Sequence, residues 1–129
     1  MCLSALLTLL CGAGGCTPKP AEFHVQGLIT YQGEPVPAGI IFFDPDALKK
    51  NDGPQGFATI KKGRFDTRES QRPIGGGAYI ARISGFDGQP GFEQPYGQPV
   101  FREYQTSIDL LAQDTTQDFA VPDKTADEK

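Results

Sequence analysis

Cysteine is missing from residues 17–129; the three in the chain are Cys2, Cys11 and Cys16. A body without thiols forms no disulfide and performs no thiol chemistry. Histidine is reduced to His24, and a single imidazole with no cysteine and no arranged carboxylate beside it makes neither a zinc ligand set nor a catalytic triad. Basic residues are few: 12 Lys and Arg against 16 Asp and Glu leave a net charge of -4. The clustered cationic excess that phosphate binding needs is lacking, which argues against nucleic acid as a partner. Long apolar runs are lacking too. The block Leu3 to Leu10 is well short of the roughly 20 residues that cross a bilayer as a helix.

That short block is followed by Gly12, Ala13, Gly14 and Gly15, directly before Cys16. An apolar stretch running into small residues is the pattern of a cleaved leader. Ala13-Gly14-Gly15-Cys16 resembles a lipobox, in which small residues admit the peptide to the signal peptidase and the cysteine thiol receives a diacylglycerol. Cys16 fits this and Cys11 does not, because the bulky Leu9 and Leu10 precede it. Two positions depart from the pattern: Ala13 stands where Leu is usual, and no Lys or Arg precedes the apolar block, so the charged segment is expected upstream of Met1. The organisation expected is a leader over 1–15, lipidation at Cys16, a tether over 16–21, a domain over 22–122 and a charged, disordered tail over 123–129. Pro18 and Pro20 make the tether extended. Stable anchoring then depends on the several chains such lipoproteins carry, since one acyl chain holds only marginally. An ordinary secretory leader with Cys16 incidental, or a buried N-terminal strand, is the alternative.

With 16 Gly and 11 Pro against 9 Phe and 4 Tyr, the body suits packed strands better than helices. Apolar or small residues alternate with polar ones from Glu22 to Gln32, broken at Leu28, which predicts a half-buried strand. Gly39 to Phe43 predicts a second, and Asp44 to Pro54 a polar loop. Gly56 to Lys61 and Arg64 to Thr67 predict a hairpin with Gly63 at its turn. Ala78 to Ser84 predicts a strand with Tyr79, Ala81 and Ile83 on one face. Gly85 to Pro99 reads as a long Gly, Pro and Gln-rich loop. Ser107 to Leu111 and Gln117 to Val121 read as a terminal strand pair around Asp114-Thr115-Thr116. About seven short strands at intervals of roughly ten residues predict an all-β fold, a small β-sandwich.

Three stretches taken together, Val25 to Gly39, the Gly63 hairpin and Gly77 to Ile83, resemble the carboxypeptidase-regulatory-like domains. In that family a strand of the type V-x-G-x-V-T-x-x-G-x-P-V leads to an apolar strand and a hairpin, and G-x-Y-x-V-x-I closes the motif. The resemblance spans roughly residues 23 to 121 and implies a seven-stranded Greek-key sandwich of transthyretin-like or Ig-like type. It is weakest over the enlarged segment Gly85 to Pro99 and at Leu28. Gly27 and Gly33 are expected to permit a turn or a close backbone approach.

Candidate chemistry is sparse. His24 reads as a solvent-facing strand residue. Asp44, Asp46, Asn51 and Asp52 offer oxygen ligands, but at no EF-hand spacing, and loop chemistry explains them as well. Gly75-Gly76-Gly77 precedes a strand and not a helix N-terminus, so it reads as a turn and not a phosphate cradle. Glu93, Glu103 and Asp109 are the carboxylates that a glycoside hydrolase would have to pair. Phe86, Phe92, Tyr96, Phe101 and Tyr104 lie among Gly, Pro and Gln; they either fold back on the core or offer a contact surface for a partner or glycan.

The expectation is a non-enzymatic, lipid-anchored envelope protein without cofactor or metal, facing the periplasm. Phe86, Phe92, Tyr96 and Phe101 are its candidate binding residues, and the membrane, then an envelope protein or glycan, its partners. A carbohydrate-binding accessory domain and a small envelope hydrolase are the alternatives. Thr17 and Pro18 stand where some bacteria use Asp to retain lipoproteins in the inner membrane, which favours the outer one.

Overall fold

The computed structural model describes residues 23–71 and 74–123. The expected leader, Cys16, the tether and residues 124–129 lie outside the described residues. The strands are β1 (Val25–Tyr31), β2 (Glu34–Pro35), β3 (Ala38–Pro45), β4 (Gly56–Lys61), β5 (Arg64–Asp66), β6 (Gly77–Phe86), β7 (Tyr104–Leu110), β8 (Thr115–Thr116) and β9 (Phe119–Val121). Single 3-10 turns occupy Ala47–Lys49 and Thr67–Ser70. The fold is all-β.

Side chains on a strand alternate between faces, and the alternation decides what this sheet buries. Ile41 and Phe43 on β3, Ala58 and Ile60 on β4, and Tyr79, Ala81 and Ile83 on β6 are each fully buried, while their neighbours are half-exposed. The strands join in one hydrogen-bonded path, β2-β1-β5-β4-β3-β6-β7, with β8 and β9 added alongside β1. The path is antiparallel throughout. It is strongly curled. In a flat sheet β3 and β9, separated by β4, β5 and β1, would stand about 19 Å apart. The rings of Phe43 and Phe119 are instead 6.4 Å apart, and Phe65 lies 6.0 Å from both. The concave face of the half-barrel is the core.

Strand β1 is paired on both sides. Along one edge its Ile29 N–H donates to Gly63 O (2.6 Å) and its Ile29 O accepts from Val36 N–H (3.0 Å). Along the other, His24 O and Gln26 O accept from Thr115 N–H and Gln117 N–H, while Asp118 Oδ1 accepts from Leu28 N–H. This second edge corrects the expected terminal strand pair. Ser107 to Leu110 belongs to β7 and pairs with β6, with Leu111 just past its end, whereas β8 and β9 run parallel to β1. Gly27 makes the parallel contact possible, because a Cβ there would lie 2.0 Å from Gln117 O. Gly33, at φ +78, makes the β1–β2 turn. Both glycines therefore do what the sequence suggested.

The direction of β1 gives the molecule two ends. At the near end, where β1 begins, Phe23 exchanges backbone hydrogen bonds with Ile74 (3.1 and 3.0 Å). Here Thr67, fully buried, accepts from Val25 N–H through Oγ1 (2.9 Å). The loop after β3 lies at the same end: Asp46 N–H donates to Ala78 O (3.0 Å) and Asp46 Oδ1 accepts from Leu48 N–H (3.1 Å). At the far end are the Gln32-Gly33 turn, the Pro35 to Pro37 link and the segment that follows β6. Seven residues of β1 separate the two ends by about 23 Å.

Candidate functional site

The segment after β6 is a structured hairpin. Phe86 bridges Pro99, Asp87 N–H donates to Gln98 O (2.9 Å), Gly88 N–H to Tyr96 O (2.9 Å), and Val100 N–H to Gly85 O (3.0 Å). Gly91 and Gln94 exchange hydrogen bonds of 2.9 and 3.1 Å across the two-residue tip Phe92-Glu93, where Glu93 has φ +58. The Asp87 carboxylate buttresses the inside: its Oδ1 accepts from Gln89 N–H (2.9 Å) and Gln98 N–H (3.2 Å). Gly97, at φ +97, passes so close that a Cβ would meet both Asp87 Oδ1 and the Gln89 backbone. Five backbone-paired positions and one carboxylate oxygen hold a segment whose composition suggested an open loop.

The four aromatic candidates take three different places. Phe101 is buried at 8% exposure, 5.0 Å from the Tyr31 ring and packed over Gly85, where a Cβ would lie 2.4 Å from it. Phe86 is half-buried under Tyr96, ring centroids 5.8 Å apart. Tyr96 is 38% exposed and Phe92, at the tip, 92%. Tyr104 packs against the core from β7. The hairpin thus offers Phe92 and Tyr96 to solvent, with Phe86 as a backing ring and Phe101 as the wedge at its base.

Around these rings the surface is amide-rich and without basic residues. Residues 86–99 contain Gln89, Gln94 and Gln98 beside the acids Asp87 and Glu93, and no Lys or Arg. Gln98 Nε2 donates to Gln94 Oε1 (2.6 Å). A cleft of about 420 Å³ lies at the hairpin base between Ser84–Phe86 and Pro99–Glu103. A second, of about 440 Å³, lies between Tyr31, the Pro35 to Pro37 link and Val100.

The remaining candidates occupy separate positions. His24 Nδ1 faces the Thr67 hydroxyl at 3.4 Å. Asp46 and Asn51 spend their side chains holding the loop in place, Asn51 Nδ2 donating across to Ala78 O on β6 and its Oδ1 accepting from Gly53 N–H. Asp44 turns instead to Arg82, which also reaches Glu103 (3.6 Å) and lies 4.7 Å over the Phe42 ring. Partial burial works to raise the Asp44 pKa, but the hydrogen bonds from Arg82 and Gln55 and the Arg82 charge outweigh it and hold the carboxyl below its ordinary value. The same bond to Asp44 holds the Arg82 pKa up. No group of three or more His, Cys, Asp and Glu side chains converges among the described residues. Glu103 and Asp109 are six residues apart along one extended segment, roughly 20 Å, beyond the separation of a glycosidase pair. Arg82 was not singled out by sequence; its role depends on the β3–β6 register, which sets it opposite Phe42.

What these features define is an all-β domain built on one curled sheet, with a rigid aromatic hairpin at one end. No family model matches the chain, and no curated protein is similar to it.

Proposed function

We propose that the chain is a lipid-anchored bacterial envelope protein, attached through Cys16, whose β-domain binds a partner and performs no catalysis. The observation that carries the binding reading is the far-end hairpin. Its backbone is held by cross-hairpin hydrogen bonds, yet its tip leaves Phe92 in solvent. An exposed ring on a rigid support loses little conformational freedom on contact. The six residues between Cys16 and Phe23 span at most about 25 Å, so the lipid holds the near end close to the bilayer while the hairpin points away from it. The surface in question faces the periplasm, from the outer membrane by the lipobox context.

The curled sheet is compatible with the transthyretin-like Greek-key sandwich of the resembled family, its two halves meeting through Phe43, Phe65 and Phe119 across the core. A glycan is the second partner class. The uncharged amides of Gln89, Gln94 and Gln98 beside Tyr96 favour it, since hydroxyl-rich ligands are recognised by aromatic faces and paired amide donors and acceptors.

A palmitate analogue is expected to label the wild-type chain and not Cys16→Ser; an unlabelled wild type ends the anchoring claim. Crosslinking in the native envelope, compared between wild type and the Phe92→Ala and Tyr96→Ala variants, tests the hairpin. Crosslinked species are expected to fall with the melting temperature unchanged. An identical crosslink pattern in all three would remove the hairpin from the contact.

A further inference from the structure

The exposed large apolar side chains fall at both ends of the molecule. Phe92 and Tyr96 are at the far end; Leu48, 97% exposed, and Leu111, 64% exposed, are at the near end. Leu48 is in the 3-10 turn Ala47–Lys49, which the buried Asp46 caps through Leu48 N–H and fastens to Ala78 through its own backbone. The turn ends at Lys50 in the left-handed region, φ +62, and Lys49 and Lys50 are both exposed. Leu111 follows the end of β7, where Leu110 pairs with Gly77 one residue before Ala78. The pairings bring both leucines to the end at which Phe23 enters the sheet.

We infer that this near end is a second membrane contact, in which Leu48 enters the headgroup layer and Lys49 and Lys50 face anionic phosphates. The inference rests on the anchoring reading above and adds to it the orientation of the domain. Three observations support a bilayer as occupant. The chain ahead of Phe23, which carries the Leu3 to Leu10 block and Cys16, joins the domain at this end. An isolated leucine held almost fully in water on a capped turn gains by burial in the acyl boundary. Two adjacent lysines complement an anionic leaflet. Among the acids at this end, Asp46 caps the turn and Arg68 bridges Asp66 (3.5 Å) and Asp114 (3.2 Å), while Asp52, Glu69 and Asp109 are exposed, so Lys49 and Lys50 form a local cationic spot and not a basic face. The contact is too small to anchor the chain by itself, so its effect is on the pose of a chain already attached. A tether alone would let the domain tumble.

The test uses the lipidated chain beginning at Cys16, reconstituted in vesicles, with a polarity-sensitive dye on a thiol introduced as Leu48→Cys or Phe92→Cys, the one free thiol once Cys16 carries its lipid. Vesicles of phosphatidylcholine with phosphatidylglycerol are compared with phosphatidylcholine alone, and co-sedimentation reads attachment separately. On the anionic vesicles the Leu48 dye is expected to shift to the blue and brighten at least twofold while the Phe92 dye does not change. Lys49→Glu with Lys50→Glu is expected to abolish the shift and leave sedimentation intact. Attachment with no shift at Leu48, or with the shift at Phe92, overturns this inference alone. Failure to sediment overturns it together with the anchoring reading.

Discussion

One buried phenol does more for the fold than its residue type suggests. Tyr79 is fully buried, and its hydroxyl donates to Pro54 O (3.0 Å) while accepting from Gly75 N–H (3.1 Å). The phenol thereby fastens the segment before β4 and the segment before β6 to the core. Tyr79→Phe keeps the ring and strands both backbone groups, so a loss of about 1–3 kcal/mol is expected in denaturant melts; a loss below a few tenths would mean that water replaces the hydroxyl. Asp44 illustrates the opposite case, a partly exposed pair. Its carboxyl titrates below its ordinary value in the folded chain. Its stabilisation is therefore complete above the unfolded pKa of about 3.9 and is lost as pH falls through the lower folded value. With side-chain exposures of 26% for Asp44 and 29% for Arg82, Asp44→Asn is expected to cost under about 1 kcal/mol at neutral pH. The wild-type and variant stabilities should converge in acid, and a difference that persisted or grew there would contradict this account.

At the scale of elements, β1 depends on a glycine. A methyl group on Gly27 meets Gln117 O at 2.0 Å, so Gly27→Ala is expected to push β8 and β9 off the β1 edge and cost about 2 kcal/mol or more. Hydrogen exchange should report it as faster exchange at Gln117 and along β9, and unaltered protection there would refute the close approach. The strands themselves were legible, because period-two alternation marks any strand with one buried face, and β1, β3, β4 and β6 all have one. Their extents differed at the ends: β3 runs on to Pro45 and β6 to Phe86. What alternation does not carry is partnership. Ser107 to Leu111 and Gln117 to Val121 are adjacent in sequence and both alternate, so a hairpin was the local expectation. Contacts 90 residues away, from Asp114 to His24 and from Asp118 to Leu28, decided otherwise. The hairpin after β6 was illegible for a related reason. Its order comes from backbone pairs and one Asp87 oxygen, which leave no periodic trace among Gly, Pro and Gln. Composition likewise could not tell Phe101, packed over Gly85, from Phe92 in solvent. The Asp87-Gly88 and Pro90-Gly91 dipeptides were the local signs of a turn there.

The whole molecule is a sheet whose first strand waits for its last. Strand β1 receives β8 and β9 from the C-terminal part of the chain, and Phe119 and Val121 complete the core. A chain ending at Gln113 should therefore show no cooperative melting, although it retains β3, β4, β6 and β7; a sharp transition in that fragment would show that the closing strands are dispensable. Pairings of such long sequence separation form slowly, because loop closure precedes any gain from the contact. In a chain threaded through a pore with its N-terminus first, residues up to Gln113 emerge without the partner that β1 requires. The sheet of a chain delivered in that order closes only when its last strand has followed.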